Sequence, residues 1–184
     1  MRRMPLLLLL PLLTLPAGCL AAMPAKTAQA LKAAPADAPK PKRVVNGNAP
    51  AFDVTTIDGV RLNSQEIYGD KPVFISLWAT WCGPCRKEAP VINELYDQYG
   101  DQVQFVAISL DGPGDLSKIQ SFRSSHGLKY PIAHDTQGVY GQVFQAQGIP
   151  KCVMVDLDGN VAKETTGFGS ADALKREFRE AFKL

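Results

Sequence analysis

Two cysteines three positions apart, Cys82 and Cys85 in the stretch "ATWCGPCRKEAP" from Ala79 to Pro90, offer three chemistries: a static bridge, a metal clip or a redox centre. A static bridge across so short a loop removes little chain entropy and stabilises little. A metal site needs about four ligands. Cys152, His126 and His134 could supply the others, yet nothing in the spacing directs them toward the pair. Thiol exchange fits the surroundings best. An apolar run ends just before Cys82 and a helical pattern begins just after it, so Cys82 falls at a helix start. Unpaired amides and the positive end of the helix dipole stabilise a thiolate there. Gly83 and Pro84 keep the turn tight, and Pro84 stands where its missing N–H would have been unpaired anyway. A Cys82 thiolate can attack a partner's disulfide, after which Cys85 can attack the mixed disulfide and release the product.

The elements that must hold this pair follow from the pattern on either side. "PVFISLWAT", Pro72 to Thr80, is uniformly apolar, β-branched and aromatic, which predicts a buried central strand. "GPCRKEAPVINELYDQYG" carries Val91, Leu95 and Tyr99 at four-residue spacing with Ile92 beside them and Gly100 at the stop, a helix that Pro90 should kink. "VQFVAISL" predicts a second buried strand, and "GDLSKIQSFRSSHG" a helix with Leu116, Ile119 and Phe122 inward. "CVMVDLDGNVAKET" predicts two strands joined at Asp158-Gly159. Ser170 can cap a last helix whose Leu174, Phe178, Ala181 and Phe182 share one face. His126 and His134 fall at helix-end and loop positions and receive no catalytic role. The sum is an α/β layout, a central mixed sheet flanked by helices, with no internal repeat.

A chain of 184 residues with 46% apolar content suits one packed domain held by burial. Residues 1–18 read as a signal peptide: Arg2 and Arg3, then Leu6 to Leu10, Leu12, Leu13 and Leu15, then Ala17 and Gly18. "LPAGCL" resembles a bacterial lipoprotein signal in which Cys19 becomes the lipid-bearing first residue, although Pro16 stands where that pattern has an aliphatic residue. The alternative is ordinary cleavage after Ala21, giving a soluble exported protein. Residues 19–48 are rich in alanine, proline and lysine without apolar periodicity, a flexible tether. Residues 49–184 form the domain. The net charge of +2 hides an asymmetry: the tether carries five basic residues against Asp37, whereas residues 49–184 carry 13 basic and 17 acidic residues. A cationic tether suits an anionic membrane surface, and an acidic domain argues against nucleic acid as a partner.

From about Ala49 to the C-terminus the chain resembles the TlpA/ResA-type thioredoxin-like oxidoreductases of the bacterial cell envelope, through "NAPAFDVTTIDG", "WATWCGPCRKEAP", "SLDGPGD" and "GIPKCVMVDLDGN". The resemblance implies a thioredoxin-like fold, thiol-disulfide exchange without a cofactor, and a cis-proline, Pro150 after Ile149, set against the nucleophile. It implies that Trp81, Gly83, Pro84, Ile149 and Pro150 dock the client. It also implies that Glu88 takes the proton of Cys85; the plain alternative is a first-turn acid serving the helix dipole. Thioredoxin itself has a buried aspartate where this chain has Ser76, a departure that favours Glu88 as the base. Cys152 reads as a buried core residue, with a third redox thiol as the sharper alternative. Trp78 reads as core. Relatives of this type mostly reduce their clients, which implies a membrane electron donor of the DsbD/CcdA kind and clients such as apocytochromes c, metallochaperones or damaged disulfides. An outer-membrane lipid anchor follows if Cys19 is acylated. Rival readings are a non-catalytic redox-sensing or copper-binding module, and a peroxiredoxin-like peroxidase. The last would place threonine three residues before its nucleophile, where this chain has Ala79.

Overall fold

The computed structural model describes residues 46–184. The signal peptide, Cys19 and nearly all of the tether therefore lie outside the described residues. At the near end, Ala49 N–H donates to Gly159 O at 3.0 Å, and Asn48 Oδ1 accepts from Val161 N–H at 2.9 Å. The packed chain thus starts slightly before the change in composition at residue 48.

The strand foreseen at 72–80 is β3, Val73–Trp78, and all six of its residues are buried. It lies in the middle of a five-stranded sheet with β4 (Gln104–Ser109), β5 (Ile132–His134), β6 (Lys151–Val155) and β7 (Val161–Thr166), in the order β5-β4-β3-β6-β7. Strands β3, β4 and β5 run parallel, β6 is antiparallel to β3, and β7 is antiparallel to β6, so the sheet is mixed. The hairpin between β6 and β7 turns where Gly159 takes φ 77°, a conformation that costs glycine little.

Alternation along the strands divides the core in two. Phe74, Phe105, Cys152 and Met154 face a layer made by α2 (Gly83–Tyr99), α3 (Leu116–His126) and α5 (Ala171–Phe182). Phe178 of α5 is its centre, with ring centroids 5.6 Å from both Phe74 and Phe105. Ser170 Oγ accepts from Ala173 N–H at 3.1 Å, the cap expected from sequence. Val73, Ile75, Leu77, Ile108 and Val153 point the other way, toward Phe52, Val54, Tyr68 and Phe144. That face is covered by β1 (Asp53–Thr55), β2 (Arg61–Asn63), α1 (Ser64–Ile67) and α4 (Tyr140–Val143).

Some expectations need correction. Leu116 is 42% exposed, because it is the first residue of α3 and has no preceding turn to place it over the core. His134 ends β5 and is not in a loop; its Nε2 lies 3.0 Å from Gly112 O and 3.2 Å from Asp111 O. The elements β1, β2, α1, β5 and α4 were not foreseen, since three or four residues are too few to show a period. The helix α2 continues through Pro90, which sits on its exposed side.

Candidate active site

The β3 strand delivers the chain to the start of α2, and a buried carboxylate secures the join. Asp111, just beyond β4, accepts from Thr80 N–H at 2.9 Å, from Thr80 Oγ1–H at 2.6 Å and from Ser109 Oγ–H at 2.6 Å. Next comes Trp81, 67% exposed, and then Cys82 as the N-cap of α2. Cys82 Sγ accepts from Cys85 N–H at 3.2 Å, so one of the unpaired amides of the helix start already points at this sulfur. Cys82 and Cys85 are joined as a disulfide. Gly83 and Pro84 form the first turn between them.

The opposite wall comes from the segment just before β6. The Ile149-Pro150 peptide bond is cis, and Ile149 O lies 3.7 Å from Cys82 Sγ. Trp81, Cys82, Gly83, Pro84, Cys85, Ile149 and Pro150 therefore meet at one end of the sheet. Trp81 offers an exposed aromatic surface beside the sulfur, whereas Trp78 is buried, as expected.

Behind the disulfide, α2 turns Cys85, Glu88, Ala89, Ile92 and Leu95 toward the sheet. Spacing of three and four residues puts them on one face, and that face draws a carboxyl into the interior. Glu88 is only 2% exposed and lies beyond the first turn, so the dipole-serving surface acid is not what the fold builds. Register supplies its partners. Ser76 of β3 pairs with Cys152 of β6, which sets a hydroxyl and a thiol side by side beneath α2. Cys152 Sγ–H donates to Glu88 Oε1 at 3.4 Å and Ser76 Oγ–H to Oε2 at 3.5 Å. Burial pushes the Glu88 carboxyl up to about 7, and these two donors hold it from rising further. Burial, reinforced by the Glu88 charge, pushes the Cys152 thiol well above its ordinary range. Glu88 also borders a cavity of about 180 Å³ shared with Thr165, Phe168, Leu174 and Glu177.

Such a pair can cycle between dithiol and disulfide without moving the backbone far, beside a carboxyl that can change charge near neutrality. Comparison with known proteins decides the family. The Redoxin family model matches residues 45–181. The thiol-disulfide oxidoreductase ResA of Bacillus thuringiensis (strain Al Hakam) is 34% identical over 140 residues, 75% of this chain and 79% of the relative. The chain belongs to the ResA-type thiol-disulfide oxidoreductases. Solved structures agree. A thiol:disulfide interchange protein of the thioredoxin family from Chlorobium tepidum TLS superposes with a TM-score of 0.64 at 25% identity, covering 77% of this chain and 99% of that one. A secreted Mycobacterium tuberculosis disulfide oxidoreductase homologous to E. coli DsbE superposes with a TM-score of 0.61 at 27% identity, covering 69% and 93%.

This ResA-type protein is thus a thioredoxin-fold enzyme of thiol-disulfide exchange. Three features of its site escaped the sequence. Asp111 lay inside a matched stretch with no role attached, and its only signal was an acid at the end of an apolar strand. The contacts of Ser76 and Cys152 with Glu88 depend on strand register, which no local pattern carries. Among the described residues no group of three His, Cys, Asp or Glu side chains is arranged as metal ligands.

Proposed function

We propose that this protein reduces disulfides of exported proteins, with Cys82 as nucleophile, Cys85 as resolving thiol and Glu88 as the base for Cys85. The observation that carries the reading is the placement of Cys82 at the N-cap of α2, between the Cys85 amide and the Ile149 carbonyl, with the Glu88 carboxyl sealed behind. The reduced enzyme attacks a client disulfide through the Cys82 thiolate, forming a Cys82–client mixed disulfide and freeing one client thiol. Cys85 passes its proton to Glu88 and attacks Cys82 Sγ, which forms the Cys82–Cys85 disulfide and frees the second client thiol. Two electrons pass to the client. A membrane electron donor of the DsbD/CcdA kind restores the dithiol. Trp81, Gly83, Pro84, Ile149 and Pro150 form the docking rim, an extended client segment lying along the backbone at Ile149.

Export rests on the leader at 1–18, and an outer-membrane anchor on Cys19. No helix among the described residues is long and apolar enough to cross a membrane. The test is capture. A Cys85→Ser variant expressed in the envelope accumulates mixed disulfides with its clients, and Cys82→Ser accumulates none; the reduced parent precipitates insulin in the presence of dithiothreitol, and Cys82→Ser does not. Reductase activity retained by Cys82→Ser would refute the mechanism.

A further inference from the structure

Two residues beyond Pro150, the strand β6 that follows the docking proline turns a side chain inward, and there the chain has the third cysteine of the described residues. Cys152 is 1% exposed, so no client disulfide reaches it, and its burial keeps the thiol protonated. A protonated thiol is a donor, weak but directional. Its acceptor is Glu88 Oε1 at 3.4 Å. We propose that Cys152 is a positioning residue for exchange: its thiol holds the Glu88 carboxyl in the orientation that receives the Cys85 proton and favours the charged carboxylate. This inference rests on reading Glu88 as the base for Cys85.

The surroundings leave few other groups able to do this. From β3, Ser76 takes the second carboxyl oxygen. From α2 itself, Cys85 stands one turn earlier. From β7, Thr165 pairs with Cys152 across the sheet and borders the cavity beside Glu88. From α5, Glu177 borders the cavity beside Glu88, and buried Tyr130 faces Glu88 and Cys152 from the segment before β5. The Glu88 carboxyl accepts one hydrogen bond at each oxygen, from Cys152 Sγ–H at 3.4 Å and from Ser76 Oγ–H at 3.5 Å. Ile149, two residues before β6, thus sets its carbonyl against Cys82, and Cys152 within β6 sets its thiol against Glu88.

The test titrates Glu88 directly. In the mature chain with ¹³C-labelled glutamate, the Glu88 carboxyl resonance should titrate with a midpoint of about 7. Loss of a donor to the charged form raises that midpoint, so Cys152→Ala should move it upward by about half a unit, whereas Cys152→Ser, which keeps a donor, should stay near the parent. Cys152→Val, which roughly keeps the volume and drops the donor, gives a second reading should the alanine variant unfold. The release of glutathione from a Cys82 mixed disulfide, followed against pH, should shift by the same amount in the same direction. An unmoved Glu88 midpoint in both Cys152→Ala and Cys152→Val would overturn the positioning role. A Glu88→Gln variant that releases glutathione with the parent's pH profile would instead overturn Glu88 as the base, and with it the part Cys152 plays in exchange.

Discussion

Glu88 holds its proton more tightly in the folded chain than in the unfolded one, and that difference makes stability depend on pH. Its carboxyl moves from the ordinary value of 4.5 to about 7 on folding, chiefly through burial. For a raised acid, stability is full below the unfolded value and falls as pH rises through the folded one. Between pH 4.5 and 7 the oxidised protein should lose about 3 kcal/mol from this group alone. Glu88→Gln should be flat across that interval. Urea unfolding at several pH values checks this, and parallel curves for parent and variant would remove the buried carboxyl as the cause. A second residue-scale expectation concerns Cys82. With the Cys85 N–H directed at its sulfur, the reduced Cys82 should be alkylated at lower pH than a free thiol, whose ordinary value is ~8.5, and Cys85 should not. The pair was legible in the sequence because motif, turn and helix start are local. The environment of Glu88 was not, because it is made by Ser76 and Cys152, 76 residues apart and joined only by the register of β3 on β6.

The join between β3 and α2 has to hold its geometry while the disulfide opens and closes, and Asp111 is what fixes it. With 2% exposure it takes both the amide and the hydroxyl of Thr80, two residues before Cys82. Asp111→Ala leaves the Thr80 amide and the Thr80 and Ser109 hydroxyls without their acceptor, which should cost about 2–4 kcal/mol. It should also slow insulin reduction, since Trp81 and Cys82 lose their fixed approach. A denaturation midpoint equal to the parent's would show that the clamp contributes nothing. The larger elements were readable because each carries many repeats of one signal: six buried residues in a row for β3, an apolar face along α5, a turn pair between β6 and β7. The strand β5 was hidden. Its three residues gain their conformation from parallel pairing with β4, from Ala107 with Ile132 to Ser109 with His134, and not from any preference of their own. Tertiary pairing also settles β1 and β2, a short two-stranded sheet with the register Asp53 to Asn63.

Across the whole molecule, charge and the proposed acylation of Cys19 would act toward a membrane in two separable ways. The tether at 19–48 carries five basic residues against one acid, and the domain that follows carries 17 acids against 13 bases. A cation near an anionic surface contributes about 1 kcal/mol and is screened by salt within roughly 10 Å. Acyl chains on Cys19 would contribute ~0.8 kcal/mol per buried CH₂ and are indifferent to salt. These magnitudes predict a clear partition. The mature protein should sediment with membranes and resist a high-salt wash, whereas Cys19→Ala should sediment only at low salt, held by its lysines and Arg43. Intact mass is the direct check: an acylated chain beginning at Cys19 supports the anchor. A mature chain beginning at Ala22 with no added acyl mass would show that Pro16 defeats the lipoprotein signal, leaving charge as the only membrane attraction and the enzyme soluble once salt screens it.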